Sequence, residues 1–287
     1  MIVIKIAGGT GNQMFQYAFG QYLKYKYEYT VEYNIDFFQM QPSHLDKRNF
    51  ELGKIFPDLV LNHNIFIKEF NKKKGLAKLS YLIFGLLFRY QHSFFPLSEK
   101  FCRNIHVFKK FFPRLYLVGF WQDKRFADWL IQHGLFRYAE LAADKKYEIS
   151  KYPHASRVAI GVRRGDFVEL GVASDIYYFE TSIHHIRSMV KHPVFFVFSD
   201  DIPWCKKTFS KIEVELVYVE KNDESPFCNI LIMSLCCHYI LSKSTFDWWG
   251  AYLNEAENGI VITPESWKLG TNLGSDWRWK RKCRTID

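Results

Sequence analysis

The sequence predicts an α/β protein built on parallel sheets, and three observations carry that expectation. The chain opens with an apolar run, Ile2 to Ile6, then Ala7-Gly8-Gly9-Thr10-Gly11-Asn12-Gln13. Phe15, Ala18, Phe19, Tyr22 and Leu23 follow at the spacing of one apolar helical face. From residue 157 onward, apolar runs of strand length alternate with helical stretches, the pattern of a buried parallel sheet with right-handed crossovers. Three of those runs end in polar clusters: Arg163-Arg164-Gly165-Asp166, Ser199-Asp200-Asp201 and Ser242-Lys243-Ser244-Thr245. Ligands of doubly wound α/β sheets bind beyond the carboxyl ends of the strands, so polar groups gathered there are what a site needs.

The elements follow in order. After the first strand and the glycine turn, a helix starts near Asn12, and Thr30 to Asn34 reads as a second strand. Between residues 36 and 114 the organisation is unclear. That section holds Lys72-Lys73-Lys74 and the apolar run Leu79 to Phe88, which is too short to span a bilayer. A basic cluster beside an amphipathic helix suits peripheral contact with an anionic membrane, and it also suits a helix packed on its domain. Leu115 to Phe120 is a strand, and Lys124 to Phe136 a helix carrying Phe126, Trp129 and Leu130. Residues 139–152 are polar and close the first domain. The second half then reads strand (Val158–Val162), helix (Tyr177–Lys191), strand (Val194–Phe198), helix (Ile202–Phe209) and strand (Val214–Val219). A polar loop (Lys221–Ser225), a buried helix (Pro226–His238), a short strand (Tyr239–Leu241), a helix (Asp247–Asn254) and a last strand (Ile260–Thr263) complete it. Asp201 is placed to cap the helix at Ile202, with Pro203 in its first turn.

Composition narrows the function classes. At 287 residues and 48% hydrophobic, the chain suits one large or two ordinary domains and can bury a real core, which excludes a disordered protein. A net charge of +9 points to a polyanion, an anionic membrane surface or a phosphorylated substrate. No Lys/Arg-rich helix or nucleic-acid motif accompanies that charge, so nucleic acid is not the expected partner. None of the six cysteines forms C-x-x-C and the histidines show no metal spacing. Reduced thiols, and with the opening strand in place of a leader a cytoplasmic protein, are the expectation.

The glycine turn offers backbone N–H groups to an anion at a helix start, with two side-chain amides, Asn12 and Gln13, directly behind the glycines. It is neither a dinucleotide fingerprint, because Met14 stands where the third glycine belongs, nor a phosphate loop ending in Lys-Ser/Thr. A plain tight turn is the alternative. Adjacent guanidiniums at Arg163 and Arg164 suit bidentate contact with phosphate, and Asp166 is placed to orient one of them. A charged surface turn with an internal Arg–Asp pair accounts for the same residues. A nucleotide-diphosphate sugar would fit these constellations: its leaving diphosphate gains charge that a metal or fixed cations must stabilise. The sequence contains no D-x-D metal motif; Asp200 and Asp201 lie side by side, which suits hydrogen bonds to a ribose or base. Ser242, Ser244, Thr245 and the N–H groups of the next helix can hold phosphate oxygens. Asp200, Ser244 and Thr245 can equally be helix caps. Trp248 and Trp249 read as core rather than as a sugar platform.

Taken together, four segments resemble the bacterial α1,2-fucosyltransferases, family 11 of the glycosyltransferases. They are G-G-T-G-N-Q-M-F-Q-Y-A-F-G (8–20), G-F-W-Q (119–122), V-R-R-G-D-F (162–167) with F-S-D-D-I-P-W-C (198–205), and S-K-S-T-F-D-W-W-G-A-Y-L-N (242–254) after Ile232-Met233-Ser234-Leu235. The likeness runs from residue 8 to residue 267 and is weak between residues 36 and 114. It implies a GT-B architecture of two Rossmann-like domains facing across a cleft, residues 1–155 on the acceptor side and 156–287 binding the donor. It implies an inverting α1,2-fucosyltransferase with GDP-fucose as donor, no cofactor and no metal. The implied acceptor is a terminal galactose of an oligosaccharide or lipid-linked glycan, in surface polysaccharide or O-antigen synthesis. A cytoplasmic enzyme, held peripherally at the inner face of the membrane by its basic surface, fits that role. By position, Arg163 would act catalytically at the β-phosphate, supported by Arg164 and Asp166. Asp200, Asp201, Ser244, Thr245 and Phe246 would line the donor site, and Gly9, Gly11, Asn12 and Gln13 would close it from the first domain.

Two departures stand out. The family pattern is H-x-R-R-x-D, and Gly161 stands at the histidine; Thr10 replaces a leucine. The first bears on donor identity and suggests two alternatives: another nucleotide-sugar transferase on the same fold, or a catalytically inactive binding relative. No general base is marked. Asp36 and Asp123 are candidates from their places near strand ends of the first domain.

Overall fold

The computed structural model describes residues 1–41, 47–56, 59–87, 94–134, 149–220, 225–254, 259–264 and 282–286. The chain divides into two compact units, Met1–Arg137 and Tyr138–Asp287. Each is an α/β unit on a parallel sheet, as the sequence predicts.

The first unit orders its sheet β2-β1-β4-β3, with β1 at Ile2–Lys5, β2 at Val31–Asn34, β3 at Phe95–Ser98 and β4 at Leu115–Val118. Ile2, Val3 and Ile4 are wholly buried, as a parallel strand covered on both faces must be. Helix α1 (Thr10–Tyr27) starts two residues before Asn12, because Gly8 turns the chain at φ +81° and Gly9 follows extended as its N-cap. The section without clear organisation in the sequence supplies α2 (Leu52–Ile55), α3 (Ile65–Lys72), α4 (Gly75–Leu87), edge strand β3 and α5 (Ile105–Phe111). Ile67 and Phe70 of α3 pack with Val3, Phe94 and Tyr116 on one side of the sheet. Helix α6 (Lys124–Gln132) is capped by Asp123, whose carboxylate accepts from Arg125 N at 2.9 Å and is chelated by the Arg125 guanidinium.

The second unit orders its sheet β10-β9-β8-β5-β6-β7. Its strands are β5 (Arg157–Val162), β6 (Val194–Ser199), β7 (Glu215–Val219), β8 (His238–Ile240), β9 (Ile260–Pro264) and β10 (Lys282–Ile286). Its helices are α7 (Gly165–Glu169), α8 (Ile176–Met189), α9 (Ile202–Thr208), α10 (Pro226–Ser234) and α11 (Thr245–Tyr252). Strands β5, β6 and β7 step outward one way; β8, β9 and β10 step the other way, so the winding reverses between β5 and β8. The first sheet reverses likewise between β1 and β4. Such a reversal opens a crevice at the carboxyl ends of the strands.

Two sequence expectations are corrected here, and two elements are added. The helix expected to reach His238 stops at Ser234, because its last carbonyls are taken by other donors. Tyr239 Oη donates to Met233 O at 3.2 Å, and Asn254 Nδ2 donates to Ser234 O at 2.7 Å. His238 instead opens β8: its Nδ1 accepts from Ile260 N and its Nε2 bonds Ala155 O. Helix α11 begins at Thr245 rather than Asp247, since Ser244 Oγ accepts from Phe246 N. The one-and-a-half turns of α7 and the edge strand β10 have no counterpart in the sequence pattern. Trp248 and Trp249 are fully buried, as expected of core. Cys205 and Cys236 are buried free thiols. Among the described residues no helix is long and apolar enough to cross a membrane.

Candidate functional site

The site is built at the reversal between β5 and β8. Register sets it: Val162 pairs with Ser199 and Ile160 with Ile240, so the residues leaving β5, β6 and β8 emerge side by side. Arg163 leaves β5, Asp200 leaves β6 and Ser242 leaves β8.

Arg163 is held from two sides. Its Nη1 lies 2.7 Å from Asp200 Oδ2 and its Nη2 2.6 Å from Asp166 Oδ1, on the first turn of α7. The guanidinium lies 5.6 Å from the Phe167 ring centroid. Its side chain is 20% exposed, so donors remain for a ligand. Arg164 is placed differently. Its backbone N–H donates to Asp200 Oδ1 at 2.8 Å, and its guanidinium stacks 4.0 Å above the Trp204 ring. Arg164 Nε is buried, with no hydrogen-bond partner among the described residues. Asp200 thus fixes both arginines, one through its side chain and one through its backbone, rather than capping a helix. Asp201 does the capping, accepting from Trp204 N at 3.0 Å. The adjacent carboxylates thus have two tasks, and Asp201 has the capping one expected of it from the sequence.

The turn after β8 supplies the far wall. Ser244 caps α11, with Thr245 and Phe246 opening the helix. Ser242, expected as a phosphate ligand, is engaged inside the protein: its N–H (3.0 Å) and its hydroxyl (2.5 Å) both donate to Asp247 Oδ2. Asp247 is buried on the first turn of α11. Burial pushes its carboxyl from 3.8 up to about 7, against the pull of the Ser242 hydrogen bonds and of Arg163. From sequence, Asp247 reads only as the start of a core helix, so its place in the site is missed. A signal is nonetheless present: Gly161 interrupts a run of bulky buried residues, and a glycine inside a strand marks a close approach. A Cβ built on Gly161 would overlap the Asp247 carboxyl group, with even its more distant oxygen only 2.7 Å away.

In the first unit the glycine turn after β1 is stitched by amides. Gln13, fully buried, donates from Nε2 to Gly8 O at 3.0 Å and to Asn49 O at 2.8 Å, and its Oε1 accepts from Glu51 N. Gln16 links Ala7 N to Gly119 O, and Asn12 Oδ1 accepts from Gln122 Nε2 at 2.7 Å. Gln13 therefore spends its polar atoms on the loop itself. Gly9 has open space where a Cβ would stand, and Gly11 is buried inside α1. Asp36 is 1% exposed, and among the described residues neither of its carboxylate oxygens has a hydrogen-bond partner. Asp123 is committed to Arg125.

The second-unit cluster can hold a diphosphate. A guanidinium braced by two carboxylates is fixed in orientation before a ligand arrives, and fixed donors stabilise developing charge without reorganising. Among the described residues, no group of three His, Cys, Asp or Glu is placed to hold a metal ion.

Comparison with known proteins gives the following. The family model described as glycosyl transferase family 11 matches residues 1–272. An alpha-1,2-colitosyltransferase of Escherichia coli is 28% identical over 297 residues, covering 96% of this chain and 95% of its own. The O-antigen biosynthesis glycosyltransferase WbnK of Escherichia coli is 27% identical, covering 93% and 95%. Galactoside 2-alpha-L-fucosyltransferase Sec1 of Mus musculus matches at 33% over 103 residues, 33% of this chain and 28% of its own. Among solved structures, the fucosyltransferase NodZ from Bradyrhizobium has a TM-score of 0.52 at 10% identity, covering 88% of this chain and 93% of its own. A mutant of Arabidopsis thaliana FUT1 in complex with GDP has a TM-score of 0.50 at 13% identity, covering 93% and 71%. These likenesses show the fold, which is of the GT-B class.

Proposed function

The chain belongs to glycosyltransferase family 11, and from that premise we propose that it is an inverting α1,2-fucosyltransferase using GDP-fucose without a metal. The observation that carries the reading is the Arg163–Asp166–Asp200 cluster at the carboxyl end of β5. Arg163 would bind the β-phosphate. As the glycosidic bond lengthens, charge grows on the diphosphate, and a guanidinium already braced by Asp166 and Asp200 stabilises it. Arg164, with its backbone tied to Asp200 and its side chain on Trp204, holds the loop in register. Asp200, Asp201 and the Ser244-Thr245-Phe246 turn border the donor. Gly9, Gly11, Asn12 and Gln13 belong to the proposed donor set by their place in the family pattern, with Gln13 acting through the loop backbone it fixes. The acceptor is a terminal galactose, free in an oligosaccharide or on a lipid-linked glycan, as in O-antigen synthesis. The acceptor hydroxyl must lose a proton; Asp36 is buried and Asp123 is bound to Arg125, so neither is assigned as its acceptor.

A second reading is favoured by one finding. The Escherichia coli alpha-1,2-colitosyltransferase matches over nearly the whole of both chains, so a colitose donor competes with fucose. A panel of GDP-fucose, GDP-colitose, GDP-mannose and UDP-galactose, with a β-galactoside acceptor in EDTA, separates them. Transfer of fucose alone is the expected result. Transfer of colitose alone moves the donor to the second reading. GDP binding without turnover of any donor contradicts both and leaves a binding protein.

Peripheral contact with an anionic membrane surface belongs to the same proposal. Leu76, Leu79 and Ile83 stand exposed on α4 at 84%, 52% and 46%, beside Lys74. Lys73 and Lys78 are turned back over Tyr81 and Phe70. Sedimentation with phosphatidylglycerol vesicles but not phosphatidylcholine vesicles is expected, and equal recovery with both would contradict it.

A further inference from the structure

Gly161 and Asp247 occupy one place between them. A side chain at residue 161 would have to stand where the Asp247 carboxyl group stands, and that group cannot swing clear without breaking both Ser242 hydrogen bonds. Behind Arg163 there is thus room for one polar side chain, projecting either from β5 or from the first turn of α11. In this chain it projects from α11. The family pattern puts a histidine at the β5 position, where this chain has Gly161.

We propose that Asp247 is a positioning residue for Arg163, an acidic group from α11 that has taken over the place served in the family pattern by the histidine of β5. Three features support it. The Asp247 carboxyl is fully buried, so it touches no ligand and acts through its neighbours. Its electrostatic neighbours are Arg163, which it attracts, and Asp200, which repels it. Arg163, the charge it attracts, is the same guanidinium that Asp166 and Asp200 brace. Its hydrogen bonds to Ser242 also tie the turn after β8 to the first turn of α11, so one carboxyl sets two borders of the site. Gly161 is then not a defect in the site. It is the space that the Asp247 carboxyl group requires.

The proposal rests on the donor-site reading for its activity arm, and its melting arm does not. The experiment compares wild type, Gly161→His, Asp247→Ala and the double variant. Each is scored by melting temperature without ligand and by kcat/KM for the donor that wild type turns over. Gly161→His alone is expected to melt lower and to lose about 100-fold in kcat/KM, the size seen when one preorganised charge-stabilising group is misplaced. Adding Asp247→Ala should restore the melting temperature and return about tenfold of the activity, a coupling that residues sharing one space must show. A double variant as poor as Gly161→His, or worse by the sum of the two single losses, overturns the proposal. If wild type turns over no donor, the functional reading fails, and the melting temperatures still decide whether the two positions exclude each other.

Asp247→Asn separates charge from shape, because it keeps the shape and removes the charge. It should stay folded yet lose about tenfold in donor kcat/KM, with the acceptor KM unchanged. Full activity in folded Asp247→Asn overturns the positioning role.

Discussion

At the scale of single residues, the site divides its work among neighbouring carboxylates. Asp200 braces Arg163 and ties down the Arg164 backbone, whereas Asp201 caps α9. Asp200→Ala should therefore lower donor kcat/KM by about 100-fold, since it leaves Arg163 with one brace fewer. Asp201→Ala should cost about 1 kcal/mol of stability through the lost cap, with a smaller effect on turnover. Steady-state kinetics and denaturant melts of the two variants check the pair; equal effects on both quantities would contradict the division. Asp247 gives a pH signature. Its folded carboxyl titrates at about 7 against 3.8 in the unfolded chain, so the folded state binds this proton more tightly. The resulting stabilisation is full below the unfolded value and is lost as pH rises through the folded one. Asparagine carries no such proton. The melting temperature of Asp247→Asn relative to wild type should therefore rise between about pH 4 and pH 8. Scanning calorimetry across that range tests it, and a flat difference contradicts the buried titration.

At the scale of elements, turns and caps hold the site as firmly as the strands do. The loop after β1 hangs on Gln13, whose amide satisfies Gly8 O, Asn49 O and Glu51 N at once. Gln13→Ala leaves those buried groups unpaired and should cost about 1–3 kcal/mol, measured by urea unfolding. A loss below a few tenths would show that water replaces the amide. The strand ends are legible in the sequence because Arg-Arg, Asp-Asp and Ser-x-Ser-Thr follow apolar runs directly, and a parallel sheet delivers such residues to one edge. Asp247 is not legible, because its partner Gly161 is distant in sequence and adjacent only through the β5–β8 pairing. Residues 36–114 are illegible for a different reason. Most of their elements are short, and α4 exposes Leu76, Leu79 and Ile83, apolar residues at the spacing that periodicity assigns to a buried face. The end of α10 is misplaced because tertiary donors, Tyr239 and Asn254, stop a helix that its apolar sequence would continue.

At the scale of the whole molecule, two parallel sheets each reverse their winding once, and several of the sequence motifs follow the strands on either side of the reversals. The glycine turn and Gly119-Phe120-Trp121-Gln122 follow β1 and β4; the arginines and the Ser244 turn follow β5 and β8. The fold class can be read from the alternation of elements, and the family from the motifs. The net charge of +9 suits an anionic donor. Every functional assignment above depends on the cluster after β5 being the diphosphate site. Isothermal titration of GDP into wild type and Arg163→Ala, in EDTA, puts that dependence to the test. Saturable binding to wild type is expected, with an affinity at least about tenfold weaker in a folded Arg163→Ala protein, the loss expected for one charge-assisted phosphate contact. Equal affinity in the two proteins would place the diphosphate elsewhere and contradict the assignment.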